Sequence, residues 1–214
     1  TGSCNVYSTG VKYSADDIVS YLGKTYNTVQ IAAQCWLKEN LDVGTRIDGV
    51  NDQTNNDGNN SIIEKYCYED DDANCTTYGG LYQWGEAMGY AASEDGTHGT
   101  TQGICPNGWH IPTKGEYETL QSYINTEAVK LIDPNQTMGG YTATNETGFS
   151  ALFAGGRFYY SGGFNYLGLT TFFWSSTGIS SGGAIIMVLY NSQSDVFFYN
   201  YPPSDGMSIR CLKD

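Results

Sequence analysis

Residues 103–116 read GICPNGWHIPTKGE, and this stretch decides how the middle of the chain folds. Its first half, Cys105–Trp109, has the proline, asparagine and glycine of a tight turn, followed by an anchoring tryptophan. Its second half predicts the start of a helix, because Thr113 and Glu116 have the spacing of a capping box. The helix would bury one apolar face, formed by Tyr117, Leu120 and Ile124.

Hydrophobic periodicity predicts the elements on either side of this stretch. A helix is predicted over residues 78–91, because an apolar stripe recurs there at helical spacing, at Leu81, Trp84, Ala87 and Met88. Five segments predict strands. Val29–Ala33 does so by its alternation of apolar and polar residues, and the others are Phe172–Ser175, Ala184–Tyr190, Val196–Tyr201 and Ser208–Leu212. The order predicts an α+β fold, with two helices early and sheet late, in a single domain over residues 1–214.

Composition excludes several classes of protein. The 214 residues contain 10 Lys and Arg against 23 Asp and Glu, and the net charge of −13 makes nucleic acid a poor partner. Hydrophobic residues at 40% are enough for a packed core, which argues against disorder. The sequence holds no apolar run near the roughly 18 residues of a membrane span. It begins at Thr1 and not at Met, as expected of a mature or trimmed product.

Six cysteines suggest disulfides and an extracellular or cell-surface location. With two histidines in the chain a structural zinc site is disfavoured, and the alternative to disulfides is a set of buried free thiols. The sequence alone does not choose among the pairings. We expect Cys67 to pair with Cys75, because the acidic loop between them needs a covalent cross-link to hold its ends together. The remaining expected pairs are Cys105 with Cys211 and Cys4 with Cys35.

Residues 48–76 are rich in Asp, Asn and Gly and have two interpretations. The first is a solvated loop, and the second is a calcium site, since Ca²⁺ binds carboxylate and amide oxygens such as those of Asp70, Asp71, Asp72 and Asn74. The spacing of a helix-loop-helix calcium loop is absent. Calcium therefore stays a candidate ligand, and no cofactor is required by the sequence.

The sequence gives little support for an enzyme. Residues 178–182 fit the G-x-S-x-G pattern, but this pattern marks a nucleophile only on a strand-turn-helix elbow with a later histidine, and no histidine follows His110. Zinc-protease, phosphate-loop and dinucleotide-binding motifs are absent. We interpret His110 as a hydrogen-bonded structural residue and not as a general base.

Residues 148–209 carry 15 of the 30 aromatic residues but three charged ones, Arg157, Asp195 and Asp205. Adjacent aromatic residues in a strand point to opposite faces, so one of each pair leaves the core unless both faces are covered. Tyrosine among serine, glycine and asparagine is the composition of antibody-like binding surfaces. The alternative is a second packing layer. The candidate ligand-binding residues are Tyr159, Tyr160, Phe164, Tyr166, Phe172, Tyr190, Phe197, Tyr199 and Tyr201.

Five ordered motifs carry a resemblance to a known family. They are Gln34–Leu41 (QCWLKENL), Tyr78–Trp84 (YGGLYQW), Gly103–Thr113 (GICPNGWHIPT), Phe173–Thr177 (FWSST) and Ser208–Cys211 (SIRC). The set resembles the Fibrobacter succinogenes major paralogous domain over about residues 20–214, a family similar to the C-type lectin-like fold near the formylglycine-generating-enzyme subclass. The resemblance implies an exported, often surface-anchored binding module whose two terminal strands pair, with a protein or glycan on another surface as its ligand.

The resemblance leaves alternative functions open. Formylglycine-generating enzymes use a close pair of reactive cysteines near the C-terminus, whereas Cys211 is the only cysteine here after Cys105. The calcium-lectin sugar motifs are missing, although a carbohydrate-binding module remains an alternative. The same scaffold also carries the variable proteins of diversity-generating retroelements. Residues 157–205 fit such a variable region, since the aromatic and small residues there belong to the set that adenine mutagenesis yields.

Overall fold

The computed structural model describes Cys4, residues 18–53 and residues 62–214. Within them the strands, in chain order, are β1 (Val19–Tyr21), β2 (Lys24–Tyr26), β3 (Thr28–Ile31), β4 (Gln34–Leu37), β5 (Thr45–Arg46), β6 (Glu64–Lys65), β7 (Trp109–His110), β8 (Ala154–Phe158), β9 (Gly163–Leu167), β10 (Thr170–Gly178), β11 (Ala184–Tyr190), β12 (Phe197–Tyr201) and β13 (Leu212–Lys213). The helices are α1 (Asp72–Tyr78), α2 (Trp84–Ala87) and α3 (Lys114–Tyr123), with 3-10 turns at Tyr68–Asp70 and Ala128–Lys130. The architecture is mixed α+β, as the sequence predicts.

The largest sheet has five strands in the order β12-β11-β10-β8-β9. Strands β10, β11 and β12 form an antiparallel meander, β8 and β9 form an antiparallel hairpin, and β10 joins the two parts by a parallel contact with β8. Three of the four late strands predicted from the sequence lie in this sheet as β10, β11 and β12, and β11 has the predicted bounds.

Alternate residues of this sheet enter two different hydrophobic clusters. On one face Ile186 and Val188 pack with Phe172 and Trp174, together with the cluster that holds the Cys105–Cys211 disulfide. On the other face the next residues along β11, Met187 and Leu189, pack with Phe173 and with the apolar side of α3, formed by Tyr117, Leu120 and Ile124. Both faces of the central strands are therefore covered, which explains why β10 and β11 are apolar at nearly every position.

A second sheet, β3-β4-β13-β7, closes the fold by pairing early and late segments. Leu212 lies opposite Trp36 on one side and His110 on the other. An early strand does pair with the closing strand, but it is β4 (Gln34–Leu37), and the predicted strand near residue 30, β3, lies one strand further out and pairs with β4. The strand bounds differ: β3 ends at Ile31 because Ala32 has a left-handed backbone (φ 52°), and β13 is confined to Leu212–Lys213.

The six cysteines form the three expected disulfides, Cys4–Cys35, Cys67–Cys75 and Cys105–Cys211, and none is free. The interpretation as disulfides is confirmed over the alternative of buried thiols. The Cys105–Cys211 bond joins the turn before β7 to the segment before β13, so it fixes the second sheet covalently.

Helix α3 begins where the capping box predicts. Thr113 Oγ1 accepts a hydrogen bond from the Glu116 N–H at 3.2 Å, and Glu116 Oε2 accepts one from the Thr113 N–H at 2.8 Å. These two bonds satisfy backbone donors that would otherwise lack partners at the helix start.

The helix predicted over residues 78–91 is wrong. Leu81 and Tyr82 instead form β-bridges with Tyr66 and Met207, so only Trp84–Ala87 is helical. These bridges bury the backbone of 81–82 against distant segments, and such tertiary pairing overrides a helical spacing of apolar residues.

The early helix lies instead within the segment interpreted as an acidic loop. Helix α1 begins at Asp72 because the Asp71 side chain accepts a hydrogen bond from the Ala73 N–H at 2.9 Å. It ends at Gly79, which has a positive φ of 85°. A Cβ at Gly79 would lie 2.6 Å from the Cβ of Asn40, so this position needs glycine for both reasons.

Candidate functional site

One face of the five-stranded sheet carries a row of aromatic rings at the margin of the first hydrophobic cluster, where each ring is half-buried or exposed. We call this surface the aromatic face, and its members are Phe158, Tyr166, Tyr190, Phe197, Tyr199 and Tyr201. Strand alternation builds it, since Phe197, Tyr199 and Tyr201 occupy every second position of β12 and oppose Val188, Ile186 and Ala184 of β11. Phe198, between them, points to the other side and packs against the α3 cluster.

The rings of the aromatic face contact one another in two groups. Tyr190 meets Phe197 edge-on, with centroids 5.6 Å apart, and Phe197 stacks on Tyr199 at 6.1 Å and an interplanar angle of 8°. In the second group Phe158 meets Tyr166 at 5.5 Å, and both rings lie about 6 Å from Phe172. Tyr201 also contacts Phe172, at 5.9 Å. These contacts restrict ring rotation before any ligand binds.

The predicted site residues differ in exposure. Tyr160, Tyr166, Tyr159 and Tyr199 are exposed (95%, 51%, 50% and 41%), and Phe164, Tyr190, Phe197 and Tyr201 are half-buried. Phe172 is 2% exposed, so its prediction as a surface residue is wrong. Its strand position points the ring into the core cluster with Trp174, beneath Tyr166 and Tyr201.

Besides the buried Phe172, three predicted residues lie outside the aromatic face. Tyr159 and Tyr160 occupy the turn between β8 and β9 and contact each other at 6.0 Å. Phe164 packs on Tyr68, 5.4 Å away, in a separate small cluster. The left-handed backbone at Tyr166 (φ 71°) interrupts the alternation of β9, and Phe164 and Tyr166 consequently join different clusters.

Two buried charged residues hold the loops beside the aromatic face. Arg157 is 2% exposed and donates hydrogen bonds to the carbonyl oxygens of Gly49 and Ser204, both at 2.8 Å. Asp205 accepts a hydrogen bond from the Tyr159 N–H at 2.8 Å. Burial raises the pKa of Asp205, partly opposed by that bond and by Arg157. Sequence reasoning did not assign these two residues this positioning role.

Two hydroxyl groups of the aromatic face, those of Tyr190 and Tyr201, are neutral at physiological pH. Burial raises the pKa of Tyr190 to about 12, and the neighbouring hydroxyl of Tyr199 adds to the shift. Burial likewise raises the pKa of Tyr201. The phenols therefore act as hydrogen-bond donors and acceptors, and the rings between them supply apolar contact area.

The candidate calcium ligands each have a separate protein partner. Asp70 accepts a hydrogen bond from the Gly49 N–H at 2.7 Å, Asp71 caps α1, and Asp72 forms an ion pair with Arg46 at 3.0 Å. Asn74 donates a hydrogen bond to the Tyr68 carbonyl. Over residues 18–53 and 62–214, no three acidic, histidine or cysteine side chains converge as a metal site would require.

His110 lies between two carboxylates. Its Nδ1 is 2.6 Å from Asp214 Oδ1 and its Nε2 is 3.1 Å from Glu116. Burial opposes protonation, but the bonds to Glu116 and Asp214 outweigh it and raise the pKa of His110. The arrangement links β7, α3 and the residue after β13.

A cavity of about 490 Å³ lies away from the aromatic face, and no sequence motif indicates it. Its lining comes from β2, the 38–42 segment and the end of α1, and includes Lys24, Lys38, Asn40, Thr76 and Tyr78. Lys24 forms an ion pair with Asp42 at its wall. Because these segments are far apart in the chain, no local motif could predict the cavity.

The fold and the site define a disulfide-linked α+β domain with a preformed, uncharged aromatic surface on its sheet. The chain belongs to the Fibrobacter succinogenes major domain family, which it matches over residues 29–213. No curated protein and no solved structure matches it. In the described part of the chain, every helix is too short or too polar to cross a membrane.

Proposed function

We propose that this protein is a secreted or cell-surface binding module that recognises a protein or another cell-surface target through its aromatic face. The observation that carries the proposal is that six aromatic rings, in two contacting groups, lie on one uncharged, partly exposed sheet surface. Aromatic anchors contribute much of the energy at binding interfaces.

Ring geometry supports binding over a second packing layer. Neighbouring ring contacts limit the rotamers of Phe197 and Tyr199, so a ligand would meet pre-ordered side chains at a small entropy cost. The turns around the face supply serine, glycine and asparagine, whose small polar groups adapt to a partner. The three disulfides support an oxidising, extracellular location.

A carbohydrate-binding module is the second candidate, because exposed tyrosine rings also stack on sugars. Tyr160, whose side chain is 95% exposed, is the ring with the freest surface for such stacking. An oxidase of the formylglycine-generating type has less support, since all six cysteines are in disulfides and none is left as a reactive thiol. We therefore propose a non-enzymatic role.

We also propose that the fold is a C-type lectin-like variant whose residues 157–205 form a diversified region. Pairing of β4 with β13 supports the first part. For the second, deep sequencing of the gene in its source population should find adenine-linked changes at exposed positions such as Tyr160, Tyr166 and Tyr199. Thr171 and Phe172 should stay constant, because they are buried. Invariance across 157–205 would refute the diversified region.

The test of binding is a double variant, Tyr166→Ser with Tyr199→Ser, matched to Tyr123→Ser, whose side chain is also exposed but lies at the end of α3. Probes are a displayed library of linear dodecapeptides and a glycan array with and without calcium. Each anchor at a hot spot contributes roughly 2 kcal/mol or more, so the loss of both should weaken binding by at least about five-hundredfold.

The control variant should bind like the wild type, and the melting temperature of the double variant should change by only a few degrees, about what surface changes give. Unchanged binding by the double variant would refute the assignment of the aromatic face. A large loss of stability would show that Tyr166 and Tyr199 belong to the core.

A further inference from the structure

The five-stranded sheet has two edges, and they differ in how they are protected. Edge strand β9 is interrupted by the left-handed residue Tyr166 opposite the left-handed Gly155. Edge strand β12 is regular: its five residues pair with β11 without a register break. Irregular backbone discourages a further strand from pairing, whereas a regular edge is a template for one.

The backbone of β12 bonds only to β11 in the described part of the chain. Apart from that ladder, no backbone or side-chain hydrogen bond of the described residues reaches a main-chain group of 197–201; the nearest, from Gln121 Nε2, goes to the Val196 carbonyl. The sequence FFYNY contains no charge and no proline, the two common devices that block edge pairing. Pro202 follows only after the strand has ended.

The open edge and the aromatic face occupy the same strand. Phe197, Tyr199 and Tyr201 belong to both, so a strand added beside β12 would place alternate side chains against their rings. Asp195, an exposed acidic residue, stands two residues before the strand. The net charge of −13 makes two copies of this chain repel, which disfavours self-pairing and favours a cationic partner.

We propose that the partner binds as an extended polypeptide that adds a sixth strand to the sheet at β12. This inference rests on the proposed function and specifies its ligand class. The partner segment carries apolar or aromatic side chains at alternate positions facing the aromatic face, and a lysine or arginine near Asp195. Main-chain hydrogen bonds supply part of the affinity, and the rings supply selectivity.

The experiment uses the full chain and the best peptide from the dodecapeptide library. Two isomers of that peptide are synthesised, N-methylated at odd or at even positions over four central residues. In an added strand, successive N–H groups point to opposite sides, so only one isomer loses the bonds to β12. That isomer should bind at least about tenfold more weakly, and its counterpart should stay within about threefold of the parent.

Equal affinities of the two isomers would overturn strand addition, while loss of binding in the Tyr166→Ser/Tyr199→Ser variant would still support the aromatic face. If the double variant also binds normally, the proposed function itself fails. A library without a binding peptide, or binding to glycans alone, overturns the polypeptide ligand. Asp195→Asn should weaken a lysine-containing peptide about two- to fivefold, and no change would refute the cationic end.

Sedimentation at rising protein concentration tests whether a second copy of this chain occupies the edge of β12. A monomer supports the proposal. A dimer that is disrupted by the parent peptide would show that a second copy covers β12, and would overturn the inference.

Discussion

Removal of each disulfide tests whether these bonds stabilise the fold by restricting the unfolded chain. The three bonds close segments of 106, 31 and 8 residues, a graded series in one molecule. The perturbation is replacement of both cysteines of a pair by alanine. All six cysteines are buried, so the cost of the truncated side chains is similar across the series and largely cancels in comparisons.

Loop-closure entropy gives the expected magnitudes. Removal of the disulfide that closes 106 residues (Cys105–Cys211) should lower the free energy of unfolding at 25 °C by about 4.8 kcal/mol. The expected decrease is about 3.7 kcal/mol for 31 residues (Cys4–Cys35) and about 2.5 kcal/mol for 8 residues (Cys67–Cys75). The difference between the longest and shortest loop, about 2.3 kcal/mol, depends only on the ratio of their lengths.

The assay is urea denaturation followed by tryptophan fluorescence, with the free energy of unfolding extrapolated to water. The expected order of loss is Cys105–Cys211, then Cys4–Cys35, then Cys67–Cys75. The Cys105–Cys211 variant could also be unfolded before any urea is added while the Cys67–Cys75 variant still unfolds cooperatively. That result would support the same order of stability loss. Equal losses, or a larger loss for Cys67–Cys75, would refute the reasoning and show that native-state contacts of the sulfurs dominate.

Three further predictions concern pH, the helix cap and calcium. The pKa of His110 is raised in the folded protein, so its contribution to stability should be complete below about pH 6.5, the unfolded value. The contribution should be lost as the pH rises through the folded value; urea midpoints from pH 5 to 8.5 should show this loss in the wild type, and a slope that persists in His110→Gln would contradict it. Thr113→Ala should cost about 1 kcal/mol by the same assay, against little change for the exposed Thr119→Ala, and equal effects would deny the cap its role. Dialysis against EDTA should shift the melting temperature by less than about 2 °C, since Asp70, Asp71 and Asp72 have protein partners, whereas a larger shift that calcium reverses would establish a calcium site.

Local signals in the sequence predicted well, and signals that depend on distant partners did not. The Thr113–Glu116 capping box is complete within four residues, and α3 begins there. The stripe from Leu81 to Met88 has equally regular spacing, but Tyr66 and Met207 pair with its first residues. Neither partner can be recognised from the stripe itself.

For the candidate site, too, local signals predicted correctly and contacts with distant residues were missed. Adjacent aromatic residues correctly predicted that Phe197 and Phe198 face opposite sides of a strand. The sequence could not tell that Phe172, on the same side as Phe197, lies under other rings, because burial depends on what covers the sheet. The positioning roles of Arg157 and Asp205 were missed for that reason too, since their partners lie in other loops.

The Cys105–Cys211 bond also determines how the molecule responds to pulling. Every ring of the aromatic face lies between these two cysteines in the chain. A force applied across the domain from positions before Cys105 and after Cys211 passes through the sulfur–sulfur bond and bypasses that segment. The 106 residues that the bond spans, about 360 Å when fully extended, carry none of this force until the bond is reduced. A load applied between those outside positions would therefore leave the aromatic face and its contacts to a partner unstretched.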